Sequence, residues 1–347
     1  MFKNINCKNL PSLRRNIVYQ FLYELLIVFI PLFTIPYVSR VLGAENIGLF
    51  SYTYAVANYF VLFANLGIKN YGSRTIAMVR NNKEELNRNF SEILSIHIIF
   101  SIIVIFVYLV LLFFFVEDNL VIFLIQSIYV FAAVFDINWF FFGIEKFKLT
   151  VGRNTLVKIL SVFLVLVFVK TQTDLWIYAL ILALSVFVGQ SVVWFALKQY
   201  VSWRRPSWAN MKQHIRPLFV LFLPILALSL YKYMDKIMLG SISSNVQVGF
   251  YENAEKIINV PMSLIMAFGV VLMPRIANMV TSKDKGEVFK LIDMSMEAVM
   301  LLAIAISFGL AGISFVLAPI FFGYEFEECG ILIMGLAVTV PFMAFAN

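Results

Sequence analysis

Residues Ile93–Phe115 read ILSIHIIFSIIVIFVYLVLLFFF, 23 consecutive positions without an Asp, Glu, Lys or Arg. As a helix rising ~1.5 Å per residue, this stretch is long enough to cross a hydrocarbon core of ~30 Å. The rest of the chain has the same character. Of 347 residues, 61% are hydrophobic, 14% are charged and 36 are Phe, and the mean hydropathy is +0.88. Soluble domains average roughly 45–50% apolar and about 25% charged residues, and their cores grow too slowly with chain length to hide so much apolar surface. A soluble enzyme, a nucleic-acid binder and a disordered tail are therefore excluded. The expected fold class is all-α, a polytopic transmembrane helical bundle.

Working outward from that stretch gives ten candidate spans: 17–38, 47–67, 93–115, 120–143, 154–169, 175–196, 218–239, 249–273, 294–317 and 331–346. The fifth is short and is expected to begin nearer Phe147. Asn16–Val38 is too long for a signal h-region and lacks a small-x-small cleavage site, so it is read as a span. Lys and Arg set the direction. With the N-terminus cytoplasmic, the inner segments carry 21 basic residues, and the outer loops carry only Arg40 and Lys170. The net charge of +7 is then a property of cytoplasmic loops rather than of an anionic partner. This places the protein in the inner (plasma) membrane with multiple passes. Cys7 and Cys329 fall on opposite faces and set no disulfide framework.

The outer loops are short: Ser39–Asn46, Val116–Asn119, Lys170–Asp174, Gly240–Val248 and Ala318–Gly330. A membrane glycosyltransferase or glycan polymerase needs an ordered outer loop to hold acceptor and carboxylates. The acidic clusters Glu117-Asp118 and Glu325/Glu327/Glu328 read as solvated loop. No Ser/His/Asp constellation appears, and His97 and His214 lack the Cys/His spacing of a metal site. Neither catalytic residues nor metal ligands are assigned. Transport, not an enzyme, is the expectation.

An internal repeat supports it. Phe29-Ile30-Pro31-Leu32, Leu42-Gly43 and Gly48-Leu49-Phe50 return as Phe222-Leu223-Pro224-Ile225, Leu239-Gly240 and Gly249-Phe250-Tyr251. The offsets are 193 at the proline, 197 at the first glycine and 201 at the second. Six spans separate the copies, so both run in the same direction, as in transporters whose two lobes are related by an axis along the membrane normal. The expected organisation is an N-terminal lobe of six helices at 1–196, a basic cytoplasmic linker at 197–217 and a partial C-terminal lobe of four helices at 218–347. A matching second lobe needs six helices, and the last span runs to Asn347 without a basic flank, which predicts a C-terminally truncated product.

These residues are similar to a known family. Asn16 to Phe50, with Val38-Ser39-Arg40-Val41-Leu42-Gly43, resembles the opening of the polysaccharide-export flippases that handle O-antigen and capsule repeat units. So do Trp139-Phe140-Phe141-Phe142-Gly143-Ile144-Glu145, Asp235-Lys236-Ile237-Met238-Leu239-Gly240, Val248-Gly249-Phe250-Tyr251 with Ala254-Glu255-Lys256-Ile257, and Leu272-Met273-Pro274-Arg275-Ile276. The resemblance covers essentially the whole chain. It implies two six-helix lobes and the passage of a polyprenyl-diphosphate-linked oligosaccharide from the inner to the outer leaflet for surface polysaccharide biosynthesis. The implied partners are that lipid-linked oligosaccharide, membrane lipids, and polymerase or assembly proteins, with no nucleic acid. A cation-coupled drug or metabolite antiporter of the same architecture, a membrane enzyme of glycan assembly and an inactive fragment are the alternatives.

Ionisable residues inside spans cost ~2.5–3.5 kcal/mol each at the helix centre, and so mark function. Near the inner face are Glu24, Asp136 and Lys158. Near the outer face are Lys232, Asp235 and Lys236 in span seven, and Glu252, Glu255 and Lys256 in span eight. Counting ~1.5 Å per residue puts Lys232 and Glu255 both ~9 Å below the outer edge, with Lys236 and Glu252 shallower. Lys232 with Glu255 and Lys236 with Glu252 can then form a self-neutralised outer gate. Lys158 snorkels, pairs with Asp136 or Glu24, or meets a diphosphate. Glu24 offers a carboxylate for a coupling proton or sodium, and no other cofactor is expected. Trp139, Trp176, Trp194, Trp203 and Trp208 read as interfacial anchors. Lys198–Arg216, broken by Pro206, reads as a linker along anionic lipid.

Overall fold

The asparagine before the helix Lys83–Phe115 (α3) illustrates how the sequence starts its helices. Asn82 turns its side-chain oxygen back to accept from the backbone N–H groups of Glu84 and Glu85 at 3.1 and 3.3 Å. The two glutamates then lie in the first turn, where the helix dipole favours negative charge. A computed structural model describes residues 10–281 and 285–346, and throughout them the regular structure is helical. The elements are α1 (Leu10–Asn65), α2 (Ile68–Val79), α3 (Lys83–Phe115), α4 (Leu120–Val134), α5 (Asn138–Gly143), α6 (Phe147–Phe168), α7 (Leu175–Leu197), α8 (Trp208–Ile242), α9 (Asn245–Thr281), α10 (Lys285–Phe322), α11 (Cys329–Ala337) and α12 (Thr339–Ala346).

Each expected span coincides with helix, and α6 begins at Phe147. The first two spans are continuous in α1 except at Gly43, whose φ of 77° and ψ of 171° break the helical path. Only a residue without Cβ adopts that conformation readily. Six described segments are long and apolar enough to cross a membrane: Leu32–Val79, Lys83–Phe115, Leu120–Gly143, Gln172–Leu197, Trp208–Ile242 and Val288–Phe322. A seventh is α11 with α12, bent by 42°, if that pair is one span. The expected spans 17–38, 154–169 and 249–273 are helical as well. Large apolar side chains face outward; Phe113, Phe114 and Phe115 are 84%, 72% and 78% exposed. No soluble fold leaves such a band wet. This is a multi-pass membrane protein.

Packing divides the chain into two units. The first is Met1–Ile30 with Phe50–Ile242, and the second is Pro31–Leu49 with Ser243–Asn347. In the first, α2 packs on α3, α5 and α8, α3 packs on α4 and α8, and α7 packs on α4 and α6. Its core gathers Phe90 of α3, Ile76 of α2 and Trp139, Phe140 and Phe141 of α5. Trp139 is 2% exposed and its ring lies 5.6 Å from that of Phe90. A Cβ on Gly72 would come within 2.6 Å of the Trp139 ring, so α2 must carry a glycine there. Trp139 is thus a core residue and not an interfacial anchor. Trp194 likewise turns inward and donates to the Phe135 carbonyl at 2.9 Å. Trp176, Trp203 and Trp208 are exposed.

In the same unit α8 runs antiparallel along the second half of α1. Phe222 meets Phe63, Ser229 accepts from the Tyr59 hydroxyl, and Gly240 lies against the Tyr52 ring. In the second unit α9, α10, α11 and α12 pack together. Buried Phe322, Phe326 and Cys329 centre its core, and the Cys329 thiol donates to the Phe250 carbonyl at 3.2 Å.

Candidate functional site

The two copies of the repeat meet at a backbone crossing in the second unit. A Cβ on Gly48 would fall 1.6 Å from the Asn245 carbonyl oxygen, and one on Gly249 would fall 2.1 Å from the Ala44 carbonyl oxygen. Ala44 and Asn245, like Gly48 and Gly249, are 201 residues apart. Each copy therefore offers the same two positions to the other, a reciprocal contact of the kind a two-fold axis produces. The same offset governs two more contacts. Asn253 donates to the Ser39 hydroxyl at 2.9 Å, and the residues 201 positions from each, Tyr52 and Gly240, pack against each other.

The crossing is braced by the loop after α10. Glu325 accepts from the Ala44 N–H at 2.8 Å, capping the helix where it restarts beyond Gly43. Arg40 donates to the Ile320 carbonyl at 2.6 Å. Glu325, read from sequence as solvated, thus has a specific partner while remaining exposed. One turn further along α9, Glu252 and Lys256 form an i,i+4 ion pair at 3.0 Å.

A second polar centre lies in the first unit around Asp136. Its carboxylate accepts from the backbone and side-chain N–H groups of Asn138 at 3.0 and 2.7 Å. The Asn138 amide also donates to Gln190 at 2.8 Å and accepts from Arg153 at 3.1 Å. Asn138 thus links Asp136 to the Arg153 guanidinium. Among the described residues Asp136 makes no ion pair with Lys158. The Lys158 ammonium is carried on α6, and the Glu24 side chain lies outside the described residues.

The third centre was not expected. Glu92 of α3 and His214 of α8 are 1% and 3% exposed. The carboxylate meets His214 Nε2 at 3.0 Å and accepts from Asn210 at 3.0 Å. His214 Nδ1 lies 2.6 Å from the Tyr71 hydroxyl. Beside it the linker is strapped down, because Ser202 N–H donates to Asn87 and Arg204 N–H donates to Ser91, each at 2.9 Å. His97 is also fully buried on α3.

These centres sit on a chain whose residues 13–280 match the family described as polysaccharide biosynthesis protein. The chain belongs to that family. The match spans both copies of the crossing, the Asp136 centre and the Glu92–His214 pair. Two curated relatives, each named "Putative O-antigen transporter", are similar over most of their length. The one from Escherichia coli (strain K12) is 27% identical over 342 residues, covering 96% of this chain and 81% of the relative. The one from Shigella dysenteriae is 24% identical over 333 residues, covering 92% and 80%. No solved structure matches the chain.

Of the residues singled out in this family member, Lys232, Asp235 and Lys236 ride on α8 in the first unit, and Glu252, Glu255 and Lys256 ride on α9 in the second. Lys232 is exposed, its ammonium 5.6 Å from the centre of the Tyr233 ring. Asn138, Arg153, Glu92 and His214 were missed. The signal that could have found Glu92 is the polar run beside it on α3, Asn87, Ser91 and Ser95 at i,i+4 spacing. His214 had no local signal, because its partners come from α2 and α3.

Proposed function

We propose that this protein is a flippase that passes a polyprenyl-diphosphate-linked oligosaccharide from the inner to the outer leaflet, without making or breaking bonds, for O-antigen or capsule biosynthesis. The observation that carries the reading is the reciprocal crossing of Gly48 on Asn245 and Gly249 on Ala44. Two copies running the same way and meeting through equivalent positions fit the plan of transporters whose halves are related by an axis along the membrane normal and work by alternating access. The names of the two O-antigen transporter relatives support the cargo.

In this reading ten spans form a six-helix lobe at 1–196 and a four-helix part of a second lobe at 218–347, joined by a cytoplasmic linker at 197–217. The N-terminus is cytoplasmic and the membrane is the bacterial inner membrane. The sugar and diphosphate cross between the lobes while the polyprenyl tail stays in lipid. The crossing, with Lys232 against Glu255 and Lys236 against Glu252, closes the outer side. A proton or sodium supplies the drive, and polymerase or assembly proteins take up the product.

The test is reconstitution of the full chain in liposomes carrying a fluorescent polyprenyl-diphosphate glycan, read by quenching of the label in the outer leaflet. Transfer faster than in protein-free liposomes is expected. A rate equal to that of protein-free liposomes overturns the reading, as does efflux of a small cationic dye with no glycan transfer.

A further inference from the structure

No Asp or Glu occurs between Asp174 and Asp235, whereas Arg204, Arg205, Lys212 and Arg216 fall within that stretch. All four cations are exposed, as are Trp203 and Trp208, at 54% and 61%. The backbone fixes where they stand. Ser202 N–H donates to the Asn87 side chain and Arg204 N–H to the Ser91 hydroxyl, each at 2.9 Å, and both acceptors are buried residues of α3. On either side of this strap, Leu197, Val201 and Met211 enter the core of the first unit. Trp208, Lys212 and Arg216 then follow one another at i,i+4 along α8, on a different face from the buried Met211, His214 and Leu218. The linker is therefore no loose tether: it holds two indoles and four cations against the outside of the first unit.

The level of these side chains follows from α3. Its large exposed apolar side chains run from Ile99 to Phe115. A hydrocarbon core of ~30 Å, counted back from Phe115 at ~1.5 Å per residue, ends near Ser95. Ser91, where the linker is tied, lies ~6 Å beyond that edge, in the layer the lipid headgroups occupy. Indoles are favoured at that level, and guanidinium groups present paired N–H donors that match phosphate oxygens. Nearby acids do not cancel the charge. Glu84 and Glu85 on the first turn of α3 are matched by Lys83 and Arg88, and Glu92 turns inward to Asn210 and His214. At the far end of α3 the exposed charges are instead Glu117 and Asp118. The first unit thus complements an anionic surface at the end that carries the linker, and not at the other.

We propose that Trp203, Arg204 and Arg205 of the linker, with Trp208, Lys212 and Arg216 of α8, form a binding site for the headgroups of anionic phospholipids. A phosphatidylglycerol headgroup carries a net negative charge, whereas the choline cation of phosphatidylcholine cancels its phosphate, so the site selects by headgroup charge. It does not depend on the flippase reading, because it binds lipid whether or not a glycan moves. The test reconstitutes the full chain in mixtures of phosphatidylglycerol and phosphatidylcholine with identical acyl chains, each lipid brominated in turn. Tryptophan quenching then gives the association constant of phosphatidylglycerol relative to phosphatidylcholine, and the signal lost in Trp203→Phe with Trp208→Phe is that of the site. A relative constant several-fold above one is expected at the site. Arg204→Gln with Arg205→Gln lowers it toward one, by up to about fivefold per charge removed. The strap survives this change, because it is made by backbone N–H groups. Lys170→Gln, in the loop before α7, leaves the preference as it is in wild type. Equal quenching by the two lipids in the wild-type protein overturns the proposal, and that result holds even where a variant fails to fold. A preference undiminished in the folded arginine variant overturns it too, as does an equal loss in Lys170→Gln.

Discussion

Gly48 lies so close to Asn245 that a Cβ there would fall 1.6 Å from the Asn245 carbonyl oxygen. The obstacle is backbone rather than a movable side chain, so alanine at Gly48 or Gly249 must push the two helices apart. Overpacking of this kind costs about 1–3 kcal/mol or more. Gly309 and Gly312 of α10 have open space around them, and alanine there is expected to be neutral or slightly stabilising through helix propensity. Thermal unfolding of the four variants in detergent checks this, with Gly48→Ala and Gly249→Ala melting lower than wild type and the α10 pair unchanged or higher.

Asn138 is the hub through which Asp136, Gln190 and Arg153 meet, all within 3.1 Å of its amide or N–H groups. Asn138→Ala leaves a carboxylate and a guanidinium without their common partner, at an expected cost of about 1–3 kcal/mol. Asn138→Asp adds a second carboxylate beside Asp136 and takes away the side-chain donor, so it should cost more than alanine. Melting temperatures of the two variants in detergent check this, with the order wild type above alanine above aspartate.

Glu325 caps the helix that restarts at Ala44. Glu325→Ala should cost about 0.5–2 kcal/mol, the range for loss of a cap, and Glu325→Gln should keep most of the bond. Hydrogen exchange at the Ala44 amide is the direct readout, with faster exchange in the alanine variant and near-native exchange in the glutamine variant.

If Lys232 and Glu255 close the outer side, removing both should abolish outward export. Lys232→Ala with Glu255→Ala, expressed in cells that depend on this protein for surface glycan, is expected to lose display on the cell surface while the protein remains in the membrane. Normal display by the double variant would remove these residues from the gate.

Lys83 opens α3 and Ser244 immediately precedes α9, and both are exposed. In a Cys7→Ser, Cys329→Ser background, Lys83→Cys should react with membrane-impermeant maleimide only after the cells are opened, whereas Ser244→Cys should react in intact cells. Labelling of both from the same side would reverse the assignment of faces on which the transport reading depends.

The helices were legible because apolar length needs no tertiary context, and even the start of α6 at Phe147 could be placed from sequence. Gly43 and Gly48 could be matched to Gly240 and Gly249 by order alone. That Gly48 faces Asn245, and not its own mate, could not, because a helical sequence does not say which neighbour its glycine approaches. Trp139 misled for a related reason. An indole near the end of a span has the composition of a membrane anchor, and only the glycine opposite it, Gly72, makes it part of the core.

Composition and apolar run length are sums over local sequence, so the chain by itself determined a helical, multi-pass membrane protein. The burial of Glu92 against His214, 122 residues away in sequence, was decided only in three dimensions. Burying a carboxylate depends on which donors other helices bring to it. That pairing is a property of how α2, α3 and α8 pack, and none of the three segments carries it alone.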